Sequence, residues 1–206
     1  MDIKVSKADV PGQAADVLGK RIRKLRKVRD RTLESLAQEV GLTKGYLSKM
    51  ETGRQIPPLA TLSKVAHALG TDLASLLETG TASGTPDVDA GVSLVRAHER
   101  RPVIRGGSSF GYDYQSLVQS AAGRHMTPFL FTFPQQILKE VFFEHAGEEI
   151  IFVLSGVVEF EIGDRRYELM PGDCIYFDAR LRHRGRGKSG EAKALVVMLE
   201  KGLPEG

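Results

Sequence analysis

The chain is expected to combine two unlike domains, an all-α bundle of about five helices and, after it, an all-β barrel of the jelly-roll type. Three observations carry that expectation. Residues 41 to 53, GLTKGYLSKMETG, directly follow the helical run TLESLAQEV and read as helix, tight turn, second helix. Leucines at helical spacing stop at Leu77, and Gly, Thr, Ser, Pro and Asp take over in ETGTASGTPDVDAG. Beyond that stretch, short β-branched and aromatic runs alternate with Gly, Pro and Asp punctuation. With 206 residues, 41% of them hydrophobic, the chain can fill two small cores.

In chain order, residues 1 to 16 are charged and broken, lack the apolar centre of a signal peptide, and read as a loose arm. Residues 17 to 78 are the predicted helical domain. Its first helix, over 18 to 29, concentrates positive charge in Lys20, Arg21, Arg23, Lys24, Arg26, Lys27, Arg29 and Arg31, with Asp30 the one acid among them. Leu33, Leu36, Ala37 and Val40 then bury one face of a second helix, and Gly41 can leave it at positive φ. Thr43 caps a third helix. This turns Lys44, Gly45, Tyr46, Ser48 and Lys49 outward, while Leu47 and Met50 face the core. Leu59, Leu62, Val65, Ala66 and Leu69 continue the pattern, followed by Leu73, Leu76 and Leu77.

On the Leu36-Ala37 pair, Gly41, Leu47, Glu51, Gly53, Pro57, Leu62, Ala66, Leu69-Gly70 and the final leucines, residues 18 to 77 resemble the Xre (lambda-repressor-like) helix-turn-helix family. The resemblance implies a reader of double-stranded DNA. A homodimer on a palindromic operator is the expected form, because one such unit reads only a few base pairs. Charge agrees: residues 1 to 80 carry 14 Lys and Arg against 9 Asp and Glu, net +5, and the remainder is net −2. Arg21, Arg23 and Lys24 are the expected phosphate contacts, and Thr43, Lys44, Gly45, Tyr46, Ser48 and Lys49 the expected reading surface.

Residues 79 to 91 read as a linker and 92 to 206 as the β domain. Strands are expected over 92–95, 112–118, 128–133, 138–145, 150–154, 157–162, 166–169, 174–177 and 194–200. Within this region HAGEEIIFVLSGVVEFEIG (145–163) and YELMPGDCIYFDARLRH (167–183) resemble the two signature motifs of the cupin superfamily. Strand alternation agrees, placing Glu149, Ile151 and Val153 on one face and turning the chain at Ser155-Gly156 and Pro171-Gly172-Asp173. A barrel enclosing a pocket is the implied result.

The cupin resemblance also implies a metal site. The family pattern carries two histidines and a glutamate in its first motif and a third histidine in its second. His145, Glu149 and His183 match three of these positions, and Phe143 stands in the fourth. Two imidazoles and a carboxylate form a facial triad that suits one divalent transition metal: Fe, Zn, Mn or Ni. The alternative is that the same residues line an organic effector pocket without metal. Tyr112 and Tyr114 share a face and are either packing or effector contacts. Arg180, Arg182, Arg184 and Arg186 alternate in an extended segment, to pair with glutamates or face an anion. His67, His98 and His125 read as surface or packing histidines.

Two functions compete. One is a transcription regulator that binds operator DNA and senses a small-molecule effector or metal; the single Cys174 fits a reducing cytoplasm, and no apolar run approaches the ~20 residues that span a membrane. The other is a mononuclear non-haem iron enzyme, since the domain order and the triad also resemble the hydroxypropylphosphonate epoxidases. That family presents a lysine where this chain has Arg29-Asp30-Arg31, and a polar residue where it has Phe142-Phe143-Glu144. The basic first helix with Lys44 and Lys49 favours the regulator.

Overall fold

A computed structural model of the chain describes residues 13–77, 92–100, 102–103, 111–118, 125–137 and 141–199. Five helices open it: α1 (Gln13–Val28), α2 (Leu33–Glu39), α3 (Lys44–Glu51), α4 (Leu59–Ala68) and α5 (Leu73–Leu77). Helix α1 begins five residues earlier than the sequence predicts, so residues 13–16 belong to its first turn rather than to an arm. Residues 1–12 of that arm and the linker at 79–91 lie outside the described residues.

The turn chemistry of the bundle is local. Thr32 accepts a hydrogen bond from the Ser35 amide at 3.0 Å, and Thr43 accepts one from the Tyr46 amide at 3.2 Å, so each hydroxyl supplies the first turn of α2 or α3 with the acceptor it lacks. Gly41 sits at φ 69°, a conformation that would strain most side chains. Ile22, Leu36, Leu47, Leu62, Leu69 and Leu73 are fully buried between the helices. Gly19 lets α1 cross α3 at backbone contact: a Cβ there would lie 2.5 Å from the Met50 carbonyl oxygen.

Among the described residues eight strands build the second domain: β1 (Asp113–Ser116), β2 (Met126–Phe133), β3 (Glu148–Ser155), β4 (Val158–Ile162), β5 (Arg165–Leu169), β6 (Cys174–Asp178), β7 (His183–Gly187) and β8 (Ala192–Leu199). All pairs are antiparallel. One sheet runs β1-β2-β8-β3-β6 and the other β5-β4-β7. Residues from both inner faces, among them Phe129, Phe133, Val153, Phe160 and Val196, fill the space between the sheets. On the outer face of the larger sheet Ile150, Phe152, Leu154 and Tyr176 are exposed, with Cys174 opposite Phe152.

One expected strand is absent, a second is only partly among the described residues, and one was not anticipated. Residues 92–95 form no strand, and Val92 and Leu94 are exposed. Of 138–145, residues 138–140 lie outside the described set, and the rest offers only a single bridge, Phe143 to His183. The unanticipated strand is β7, HRGRG, which has no β-branched residue to announce it. Its glycines are packing requirements: a Cβ on Gly185 would meet the Phe160 ring at 2.6 Å and the Phe133 ring at 2.8 Å.

Candidate functional site

His145, Glu149 and His183 reach one point inside the barrel from three places in the chain. Glu149 is on β3 with its side chain on the inner face, paired in register with Phe177 and Met198. His183 opens β7, and its backbone exchanges hydrogen bonds with Phe143 at 2.7 and 2.9 Å. His145 precedes β3, its amide bonded to the Ala179 carbonyl at 2.9 Å. All three are buried, and one ligand atom from each lies within 4.8 Å of the others. Among the described residues no other group of His, Cys, Asp and Glu meets this way.

Hydrogen bonding orients both imidazoles. His145 Nδ1 lies 3.0 Å from the Ala146 carbonyl, and His183 Nδ1 lies 2.7 Å from the Leu181 carbonyl. A carbonyl only accepts, so each Nδ1 carries a proton, and each Nε2 is turned toward Glu149, at 2.6 Å for His145 and 3.9 Å for His183. Burial holds His183 below the ordinary histidine pKa, an effect that the nearby Glu149 charge opposes. The short His145–Glu149 contact contains one shared proton. A divalent cation bound by the three side chains would replace that proton, and the backbone-held Nδ1 groups are the support that histidine ligands of metals ordinarily have. The donor set therefore fits such a metal.

An aromatic wall surrounds the triad. Tyr112, Tyr114, Phe131, Phe133, Phe143 and Phe160 line the same cavity as Glu149 and His183, whose volume is about 30 Å³. The two tyrosines are buried, with rings stacked at 6.4 Å. The Tyr112 hydroxyl donates to the Gly185 carbonyl at 2.8 Å, and burial pushes its phenol far above the ordinary range. Sequence reasoning missed most of this wall, although the parity of Phe129, Phe131 and Phe133 was a usable signal. It also missed Pro58, Leu59 and Ala60, at the start of α4, which line the cavity from the helical side. No local pattern announces that contact.

The residues named for DNA contact divide. Lys44 and Lys49 are exposed on α3 with Gly45; Lys44 pairs with Glu34 of α2 at 2.8 Å, which raises its pKa. Thr43 is the cap, Ser48 is half-buried, and Tyr46 packs partly against the core. On α1, Arg23, Lys24 and Lys27 are exposed. Lys20 pairs with Asp16 on α1 itself, and the remaining arginines hold the bundle together, which the sequence reading did not anticipate. Arg21 donates to the Ser75 and Leu76 carbonyls at the end of α5. Arg29 donates to the Gly70 carbonyl, and Arg31 to the Ala68 carbonyl and to Glu39. Arg26 is buried in a bidentate pair with Glu51 of α3, at 2.6 and 2.9 Å.

On the barrel, Arg184 pairs with Glu161, Arg186 with Glu159 and Arg180 with Asp178. Arg182 and Arg184 lie over the Phe142 ring at 4.0 and 4.4 Å. His67, His98 and His125 are exposed. Among the described residues no helix is long and apolar enough to cross a membrane.

Comparison with known proteins covers both domains. Residues 22–76 match the helix-turn-helix family HTH_3, and residues 129–199 match the cupin domain family Cupin_2. The immunity repressor protein of Bacillus phage phi105 is 38% identical over 60 residues, 29% of this chain and 42% of the repressor. The (S)-2-hydroxypropylphosphonic acid epoxidase of Streptomyces wedmorensis is 26% identical over 172 residues, 79% of this chain and 84% of that enzyme. The crystal structure of an HTH_3 family transcriptional regulator from Vibrio cholerae superposes with a TM-score of 0.66, covering 93% of this chain and 99% of that one at 20% identity, and so shares its fold. This chain thus joins an Xre-like helix-turn-helix domain at its N-terminus to a C-terminal cupin domain.

Proposed function

We propose that the protein is a sequence-specific, DNA-binding transcription regulator whose cupin domain, residues 92 to 206, senses a small molecule or a divalent metal. The observation that carries the reading is the capped helix α3, which presents Lys44, Gly45 and Lys49 to solvent beside the exposed Arg23 and Lys24 of α1. In this reading Arg23 and Lys24 position phosphates, joined by Arg21 where its α5 contacts allow. Thr43, Lys44, Gly45, Tyr46, Ser48 and Lys49 face the groove. The protein works in the cytoplasm as a homodimer on a palindromic site. The dimer contact is the outer face of the larger sheet, where Ile150, Phe152, Leu154 and Tyr176 are 39, 38, 49 and 62% exposed.

Within the barrel, His145, Glu149 and His183 hold the metal, and Tyr112 and Tyr114 form the wall against which an effector rests. A metal there would supply a Lewis-acidic anchor for one polar end of that effector. The second reading is a non-haem iron enzyme, favoured by the 26% identity to the Streptomyces epoxidase across most of both chains together with the triad. One experiment separates them. The purified protein is assayed for metal and bound small molecules by native mass spectrometry and for selection of duplex sites from random DNA. Enrichment of a palindrome supports the regulator. Full iron occupancy with no enriched sequence would return the case to the enzyme.

A further inference from the structure

The start of α4 is an unusual helix end. Pro57, Pro58, Leu59 and Ala60 are all buried, Leu59 to 2% exposure. The cap is Pro58, which provides no side-chain acceptor, so the Thr61 amide lacks the bond that Thr32 and Thr43 give to the third residue of α2 and α3. A helix end of this kind ordinarily sits in water. Here it lines the barrel cavity opposite Glu149, His183 and Phe143. The same domain pair meets again beside the triad, where Ala146, next to His145, lines a crevice with Val40 and Gly41 after α2 and Ser63 and His67 of α4.

We infer that the first turn of α4 is the lid of the cupin pocket, so that an organic effector in the pocket and the docked position of the helical domain exclude one another. Size decides it. With the lid seated the cavity is about 30 Å³, room for a water or two, whereas a benzene-sized guest occupies a cavity of roughly 150 Å³. On the barrel side most of the wall, Tyr112 and Phe143 apart, belongs to hydrogen-bonded strands of the two sheets, so the side that yields is the helical one. The guest that fits has a compact apolar or aromatic body for the phenylalanine and tyrosine wall and one polar end for His183 and Glu149. Lifting the lid moves the reading helix with it, because α4 packs on α2 and α2 packs on α3 within the bundle. This rests on the sensor reading above and supplies its route from pocket to DNA.

Hydrogen exchange on the full-length protein tests the lid without knowledge of the effector. The Leu59, Ala60 and Thr61 amides have no acceptor one turn back, so their protection reports burial against the barrel. Val196→Phe adds a ring that the cavity cannot hold beside a seated lid. Exchange at these amides should then accelerate about tenfold or more, with β8 and α2 still protected. If Val196→Phe fails to fold, Ala60→Glu delivers the same release from the helical side by placing a carboxylate near Glu149. Exchange in the parent protein as fast as that of solvated amides would overturn the lid. So would a folded variant in which these amides stay slow. DNA affinity of the released variants separates the two levels of argument: if the lid opens and affinity and salt dependence match the parent, the lid stands and the sensor reading falls.

Discussion

The helical and β halves place their candidate working residues in opposite ways. In the bundle the proposed reading surface is nearly contiguous, with Lys44, Gly45 and Lys49 exposed on one short helix. In the barrel the triad is buried, and its members come from positions 145, 149 and 183. An exposed site can lose a side chain without disturbing the fold, whereas a buried one is part of the structure that encloses it. The bundle buries Arg26 against Glu51, with side chains 10 and 4% exposed, and the barrel keeps Arg186–Glu159 nearer the surface at 49 and 25%. Depth, more than residue type, thus sets what each group contributes.

The largest expected effect breaks the bundle and spares the barrel. Glu51→Ala leaves the Arg26 guanidinium buried without its carboxylate, which costs about 3–5 kcal/mol. Urea denaturation followed by circular dichroism should show the helical signal lost early, with β-sheet protection retained. A cost under ~1 kcal/mol would mean that Arg26 finds water, and that the contrast in depth is false.

Next is the triad. His183→Ala should weaken Zn²⁺ or Ni²⁺ binding by about a hundredfold or more in calorimetric titration, while operator affinity of the metal-free protein holds. The same residue sets a pH dependence. Folding keeps His183 neutral, and the unfolded side chain takes up a proton near pH 6.5. The unfolded state therefore binds more protons below that pH. Stability of the metal-free protein falls as pH drops from about 6.5 toward the folded pKa, then levels off. Melting temperatures across this range should slope less in His183→Gln.

Two glycine substitutions sharpen the comparison further. Gly19→Ala drives a Cβ against the Met50 carbonyl, a backbone atom that cannot step aside, at about 1–3 kcal/mol. Gly185→Ala meets the Phe160 and Phe133 rings, which can shift slightly into the cavity, so its cost should be smaller. Thermal melts of the two variants decide the order. The smallest effect is on the surface. Arg23→Ala should change stability by no more than about 0.5 kcal/mol and reduce the salt slope of DNA binding by roughly one. Lys49→Ala should also alter the preferred site, which binding to operator and random duplexes measures.

What could be read in the sequence follows the same division. The α2-turn-α3 unit was legible because Thr43, Gly41 and the buried Leu47 and Met50 act over one or two turns of chain. The triad was legible only through resemblance, since nothing local links position 149 to 183. Strand β7 was hidden because its inward residues are His183 and two glycines, which carry no hydrophobic signal. The double use of the basic run was hidden for a related reason. Arg23 and Arg26 look alike in sequence, and only the packing of α3 makes one solvated and the other internal. The seat of Pro58, Leu59 and Ala60 on the barrel belongs wholly to tertiary structure.

The close approach at Gly19 has a mechanical meaning. A second contact of the same kind lies nearby, where a Cβ on Gly53 would sit 3.1 Å from the Asp16 backbone. Main chain touches main chain twice, one turn apart, where the early part of α1 passes the C-terminal end of α3, leaving no side-chain cushion to compress there. The two helices therefore behave as the fixed jaws of a caliper. With a duplex laid against α3, the distance from the groove to the phosphates met by α1 is set by this joint and not by rotamers, so any movement of the reading head must carry both jaws together.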